Sequence, residues 1–238
     1  MDAFKTLNLT TPEPKSAGAS ECKTYLPGAY PEPCEYFKII GDSEFEVWAP
    51  TIGMTTKNSD RTRTELRETD AKGKLFNWKY NSAADHWLRV AMTLLQVCKG
   101  GEVVIGQIHV KDSTNRPPLK LSFDKVVNGV GQLTVGFREK HNQKDPKDTA
   151  LLKGIPVGTR FTYNIHATDD GYVLLSAGFT DADGKRQTGN LKLKFDSSWE
   201  KSDLYFKAGL YNQEVADSKT LKTEGSRARF YKLEITHG

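Results

Sequence analysis

Residues 205–213 read YFKAGLYNQ, and their polar side chains fall on every second position. Successive side chains of an extended strand point to opposite faces, so Tyr205, Lys207, Tyr211 and Gln213 share one face, and Phe206, Ala208 and Leu210 the other. Such a strand buries its apolar side and leaves the chemistry on its open side. VVIGQIHV (103–110) reads the same way, with Gln107 and His109 on one face, and RTRTELRE (61–68) sets Arg61, Arg63, Glu65 and Arg67 together. Three such strands side by side make a concave, cationic, hydrogen-bonding sheet.

Outward from these segments the chain reads as strand after strand. FEVWAP (45–50), HWLRVAMTLLQV (86–97), LKLSF (119–123), QLTVGF (132–137), RFTYNIHAT (160–168), YVLLSAGF (172–179), LKLKF (191–195) and RFYKLEIT (229–236) have β-type composition or alternation. HWLRVAMTLLQV is apolar on both faces, which predicts a strand in the middle of the structure. Asp169-Asp170-Gly171 and Ala182-Asp183-Gly184 sit between such runs as hairpin turns. Short helical turns are expected near 144–152 and 197–202. Many strands without helical crossovers predict an all-β fold, a jelly-roll sandwich of two antiparallel sheets with a concave cleft. Residues 1–35, rich in Pro, Ser and Thr, read as an irregular N-terminal arm, and residues 36–238 as a single β-jelly-roll domain.

The charge balance, 34 Lys and Arg against 30 Asp and Glu, suits an anionic ligand only if the cations are gathered in one place. The basic residues are too scattered for nucleic acid to be the expected partner. No apolar run is long enough to span a bilayer, so no membrane partner is expected either, and a monomer is the simple default. Cys22 and Cys34 flank CKTYLPGAYPEPC, where a disulfide would point to an oxidising, secreted setting. The sequon Asn8-Leu9-Thr10 leans the same way, and Cys98 reads as a buried free thiol. There is no HExxH, CxxC pair, calcium loop, GxSxG elbow or phosphate-binding glycine loop, so neither metal nor cofactor is expected. Glu65 and Glu68 are three apart and face opposite ways on a strand, unlike the carboxylate pair of a retaining glycosidase.

Arg63-Thr64-Glu65-Leu66-Arg67-Glu68, Gln107-Ile108-His109 and Tyr205 through Gln213 together resemble, in order, the motifs of the alginate lyases of polysaccharide lyase family 7. The resemblance implies a jelly roll whose concave face binds alginate, an anionic polysaccharide, and cleaves it endolytically by β-elimination. The C5 proton, α to a carboxylate, is removed and the glycosidic oxygen at C4 expelled, leaving an unsaturated oligosaccharide. Donors on the carboxylate oxygens lower the cost of the enolate-like charge. The resemblance gives that task to Arg63 and Gln107, and Arg suits it because its planar fork matches a carboxylate. His109 helps hold the carboxylate or acts as base. Tyr211 donates a proton to the leaving oxygen and, in syn elimination, can also be the base, with Arg63 and Lys207 favouring its phenolate.

Arg67, Lys207, Gln213 and Tyr205 are the candidates for gripping neighbouring sugars. Each has a structural competitor: Glu65 and Glu68 are near enough to tie up Arg63 or Arg67 in ion pairs, Lys207 suits a surface lysine, and Tyr205 suits edge packing. His86, His141, His166 and His237 read as structural. A lyase of another polyuronate such as glucuronan, or a non-catalytic carbohydrate-binding module, are the alternatives. Within the family, isoleucine in the triplet accompanies activity on guluronate or mixed blocks, although Ile108 faces the core. GVGQ (129–132) and KHNQKDPKD (140–148) are the loops expected over the cleft.

Overall fold

Every segment read above as a strand forms one in the computed structural model, which describes residues 2–31, 34–41, 43–82 and 84–238. In chain order come β1 (Leu7–Pro14), β2 (Cys22–Tyr25), β3 (Phe37–Ile39), β4 (Phe45–Pro50) and β5 (Arg63–Glu68). Then come β6 (His86–Gln96), β7 (Val103–Val110), β8 (Leu119–Val127), β9 (Val130–Phe137) and β10 (Lys147–Pro156). The last are β11 (Arg160–Ala167), β12 (Tyr172–Thr180), β13 (Arg186–Lys194), β14 (Leu204–Asn212) and β15 (Gly225–His237).

They form an eight-stranded sheet in the order β10-β9-β8-β7-β14-β5-β1-β2 and a seven-stranded sheet in the order β13-β12-β11-β6-β15-β4-β3. All the pairings are antiparallel, as expected for a jelly roll. The three polar-faced strands are adjacent, with β14 between β5 and β7. Their other faces supply Leu66, Ile108, Phe206, Ala208 and Leu210, all buried in the core between the sheets. Phe123 on β8 stacks across that core on Phe161 of β11 at 6.1 Å. Tyr163, fully buried, satisfies its hydroxyl by donating to the Ile105 carbonyl of the opposite sheet at 2.7 Å. The apolar run at 86–96 becomes β6, between β11 and β15 in the middle of its sheet.

Four expectations are corrected. The N-terminal segment is not an irregular arm: β1 pairs with β5 from Leu7 to Thr10 and with β2 from Leu9 onward, burying Leu7 and Leu9. Its prolines, Pro12 and Pro14, lie beyond the stretch paired with β5, so no ladder bond to that strand is lost. Residues 147–156 are a strand, burying Leu151, Leu152 and Ile155, whereas Ser197–Trp199 does form a 3-10 turn capped by Asp196. Cys22 and Cys34 are free thiols; Cys22 opens β2, and its Sγ donates to the Met54 carbonyl at 3.3 Å. Asn8, the sequon asparagine, is buried in β1 and donates to the Gly73 carbonyl at 3.2 Å, so it is not presented for glycosylation.

Candidate active site

Strand register decides which polar side chains meet. Lys207 lies opposite Arg67 on β5 and opposite Gln107 on β7, and Gln107 lies opposite Lys120 on β8. A row of one amide and three cations thus crosses four strands. Further along β14, Tyr205 lies opposite His109 at one end and Tyr211 opposite Arg63 at the other. Between them Gly209 faces Glu65 with φ +143°, and a Cβ there would stand 2.5 Å from the Thr64 carbonyl oxygen. Only glycine fits this close approach of β14 to β5.

Glu65 organises the cations around it. It is 2% exposed, accepts hydrogen bonds from Lys207 and from the Gln107 amide, and pairs with Arg63 at 3.3 Å. Burial pushes its carboxyl up, but Lys207 and Arg63 outweigh that and hold it below the usual range. Burial pushes Lys207 down to about 8, against the pull of Glu65. His109 is pushed down to about 3 by burial and then by Lys207, so its imidazole is neutral at any ordinary working pH. Its Nδ1 can accept from the Val110 N–H at 2.8 Å or donate to the Val110 carbonyl at 2.9 Å, and a neutral imidazole offers one ring nitrogen as an acceptor, the form a base requires.

Tyr211 is held at both ends. The Arg63 guanidinium carbon lies 3.8 Å from its ring centroid and Lys120 Nζ 5.4 Å, while its hydroxyl is 3.1 Å from Ser59 Oγ. Arg63 lines the cleft, while its buried Nε has no partner among the described residues. Tyr205 is packed between the Arg67 guanidinium, 3.6 Å from its ring, and His109, whose ring centroid is 5.0 Å away. Burial pushes its phenol up to about 12, so it braces His109 and does not exchange protons itself.

These side chains line a cleft of about 390 Å³. Arg63, Gln107, His109, Lys207, Tyr211 and Tyr205 all reach it. Two predicted site residues do not. Arg67 is turned onto Tyr205 and donates to Asn77 Oδ1 at 3.0 Å, and Gln213 donates back to the Tyr211 and Asn212 carbonyls at 3.2 and 2.9 Å, on the wall of a neighbouring pocket. The ion pair that competes with a site role exists for Arg63, through Glu65, yet Arg63 still lines the cleft.

Sequence reading passed over Ser59, Lys120 and Arg138. Lys120 carries a visible signal, as the polar residue in the alternating LKLSF; Ser59 lies in a loop with no pattern to mark it. The loops at the cleft are 51–62, through Lys57 and Asn58, and 111–118, through Asn115 and Arg116. The expected loop 129–132 is instead the tight β8–β9 turn and the start of β9. His86, His166 and His237 lie away from the cleft on mutual or carboxylate contacts, and His141 pairs with Asp112 at 2.6 Å.

Comparison with known proteins identifies the family and the fold. The family model for alginate lyases matches residues 1–237. An alginate lyase of Klebsiella pneumoniae is 28% identical over 250 residues, spanning 86% of this chain and 78% of its own. The crystal structure of an alginate lyase from Pseudomonas aeruginosa superposes with a TM-score of 0.85 at 30% identity over 99% of each chain. A family 7 alginate lyase solved in complex with substrate shares the fold, with a TM-score of 0.77 at 22% identity over 100% of this chain and 94% of its own.

Proposed function

This chain belongs to the alginate lyase family, and from that premise we propose that it depolymerises alginate by β-elimination in the cleft of its eight-stranded sheet, with Arg63, Gln107, His109 and Tyr211 as the reacting set. The observation that carries this reading is the convergence of the Arg63 guanidinium, a neutral His109 and Tyr211 on one cleft. The Arg63 guanidinium and the free N–H of Gln107 meet the carboxylate of the sugar that loses its C5 proton. They stabilise the charge that builds on that group as the proton leaves.

Neutral His109, in the tautomer that carries its proton on Nδ1, takes the C5 proton on Nε2 when base and acid work from opposite sides of the ring. Tyr211 gives its proton to the C4 oxygen as the C4–O bond breaks and the C4=C5 double bond forms. When both transfers lie on one side, Tyr211 serves for both. Lys207 holds the neighbouring carboxylate. Its charge is partly spent on Glu65, so it grips the polyanion without trapping the product. Fully buried Ile108 acts only by setting the backbone under Gln107 and His109, and guluronate-containing blocks are the preferred substrate. The enzyme acts endolytically, as a monomer, outside the cell, where a polymer too large to cross a membrane is met.

Ultraviolet absorbance of the new double bond, followed on mannuronate-rich, guluronate-rich and glucuronan polymers in parallel, tests the proposal. The expected order is guluronate-containing alginate first and glucuronan last. Binding of alginate without any rise in absorbance would discard the enzyme reading.

A further inference from the structure

The outer face of the seven-stranded sheet carries polar chemistry that the cleft does not use. β11, β12 and β13 hold Arg160, Arg186, Lys192 and Lys194, and not one Asp or Glu. Register lines up their outward residues with those of β6. Trp87, His166, Leu174 and Lys192 form one row, and Arg89, Asn164, Ser176 and Asn190 the next. A shallow groove of about 460 Å³ runs along these rows; Lys192 lines it, and Arg89 and Lys194 flank it as strand neighbours of the lining residues.

Its cations are fixed by aromatic rings. Lys192 and Lys194 place their Nζ atoms 3.8 and 4.6 Å from the ring centroid of Tyr172, and neither makes an ion pair among the described residues. The Arg89 guanidinium lies 4.1 Å from the Trp87 ring, which also stacks on His166 at 3.6 Å. Trp87 therefore serves as a brace, not as a platform for a sugar. Acidic groups stand at the rim: Glu234 at 3.3 Å from Arg89, Asp85 at 3.1 Å from His166, and Asp170, close enough to feel the charge of Lys192 without pairing with it. Two lysines held over one ring repel each other unless an anion joins them. Beside them Ser176, Asn164 and Asn190 offer hydroxyl and amide groups, with Asn164 already donating to Ser176 at 2.9 Å. Cations spaced out among amides match a chain that alternates carboxylates with hydroxyls. Nucleic acid would want a denser basic patch with free aromatic faces.

We propose that this groove is a second, non-catalytic binding site for polyuronate, in which Lys192, Lys194 and Arg89 take carboxylates and Asn164, Ser176 and Asn190 take hydroxyls. The inference rests on the alginate reading of the cleft. The groove and the cleft lie on opposite outer faces of the sandwich, so one molecule holds two stretches of a long polymer. Binding at the groove keeps the cleft at high effective substrate concentration.

The test is affinity electrophoresis in alginate-loaded gels, with Tyr211→Phe as the background to prevent cleavage. Adding Lys192→Glu and Lys194→Glu is expected to weaken retardation about tenfold, equivalent to about 1.4 kcal/mol. In the active enzyme the same pair of substitutions raises KM for polymer but not for oligouronates too short to reach both faces. Unchanged retardation with unchanged polymer KM would overturn the proposal. So would an equal loss of retardation in gels loaded with duplex DNA, which would make the groove a general polyanion surface. Both lysines are exposed, and a matched unfolding midpoint checks that the fold is intact. If the wild type yields no double-bond absorbance from alginate, the lyase reading fails, and the gels report that separately from the groove.

Discussion

Replacing Glu65 by Gln removes the one negative charge that Arg63, Lys207 and Gln107 share. The side chain keeps its shape but can no longer compensate two cations that are 10% and 12% exposed. Breaking a buried ion pair by removing one partner costs about 3–5 kcal/mol, a large share of the ~5–15 kcal/mol that holds a domain folded. The effect on Lys207 is sharper. Burial already brings it down to about 8 with Glu65 opposing that shift; without Glu65 it falls by a further ~1–3 pH units.

The signs follow from the direction of each shift. A lysine whose folded pKa lies below its unfolded value weakens the fold while charged, and that penalty fades as pH rises from about 8 toward the ordinary lysine range. Glu65, held low, contributes stability that is present above its unfolded pKa and is lost as pH falls through the folded value. Substrate grip runs the other way, since Lys207 holds a carboxylate only while protonated. In the wild type KM therefore climbs as pH rises through about 8. In Glu65→Gln that limb moves to lower pH by about one to three units, so KM near neutrality rises by about twofold for the smallest shift, about tenfold for two units and about a hundredfold for three. Initial rates of double-bond absorbance from pH 5 to 10, paired with urea unfolding, measure both effects. A KM profile that superposes on the wild type, with the unfolding free energy unchanged within ~0.5 kcal/mol, would refute the account of Glu65 as the shared counter-charge.

Tyr211→Phe removes the proton donor and little else, and kcat should fall by about 10²–10⁴ while polymer binding in alginate-loaded gels persists; near-normal turnover would overturn the role given to Tyr211. Ser59→Ala deletes the contact to the Tyr211 hydroxyl and should lower kcat about fivefold, the worth of one ordinary hydrogen bond of ~1 kcal/mol, with KM unchanged in steady-state assays. Lys120→Met takes away a cation whose pKa is lowered by burial and which forms no close ion pair among the described residues, and KM for polyuronate should rise about tenfold with the unfolding midpoint held or raised. Gly209→Ala drives a Cβ against the Thr64 carbonyl and should lower thermal stability by several kcal/mol together with activity, read by circular dichroism and turnover on one preparation.

Period-two alternation is a local property, and it carried a long way here. It marked β5, β7 and β14 as half-buried strands, put Arg63, Gln107, His109, Lys207 and Tyr211 on their open faces, and set Glu65 and Glu68 on opposite sides. Glu68 does face inward, accepting hydrogen bonds from the Trp78 indole at 2.8 Å and the Phe206 amide at 2.6 Å. The same local reading failed where composition misled it. Prolines made β1 look irregular, although a strand needs its N–H groups only where it is paired. Two cysteines at loop-closing spacing suggested a bridge, although the thiol of Cys22 points to Met54.

What an alternating pattern cannot contain is the order and register of the strands, because those depend on contacts between residues far apart in the chain. Only the fold brings Lys207 opposite both Arg67 and Gln107, and only then does Glu65 fall within reach of three partners. The same packing turns Arg67 away from the cleft onto Tyr205, which lines the cleft and backs His109, and brings Ser59 to Tyr211 across 152 positions of sequence. Residue types and their faces were written into the chain locally. Their charges, partners and access to the cleft came from burial, since a carboxylate or lysine acquires its working state only when neighbouring strands exclude water around it.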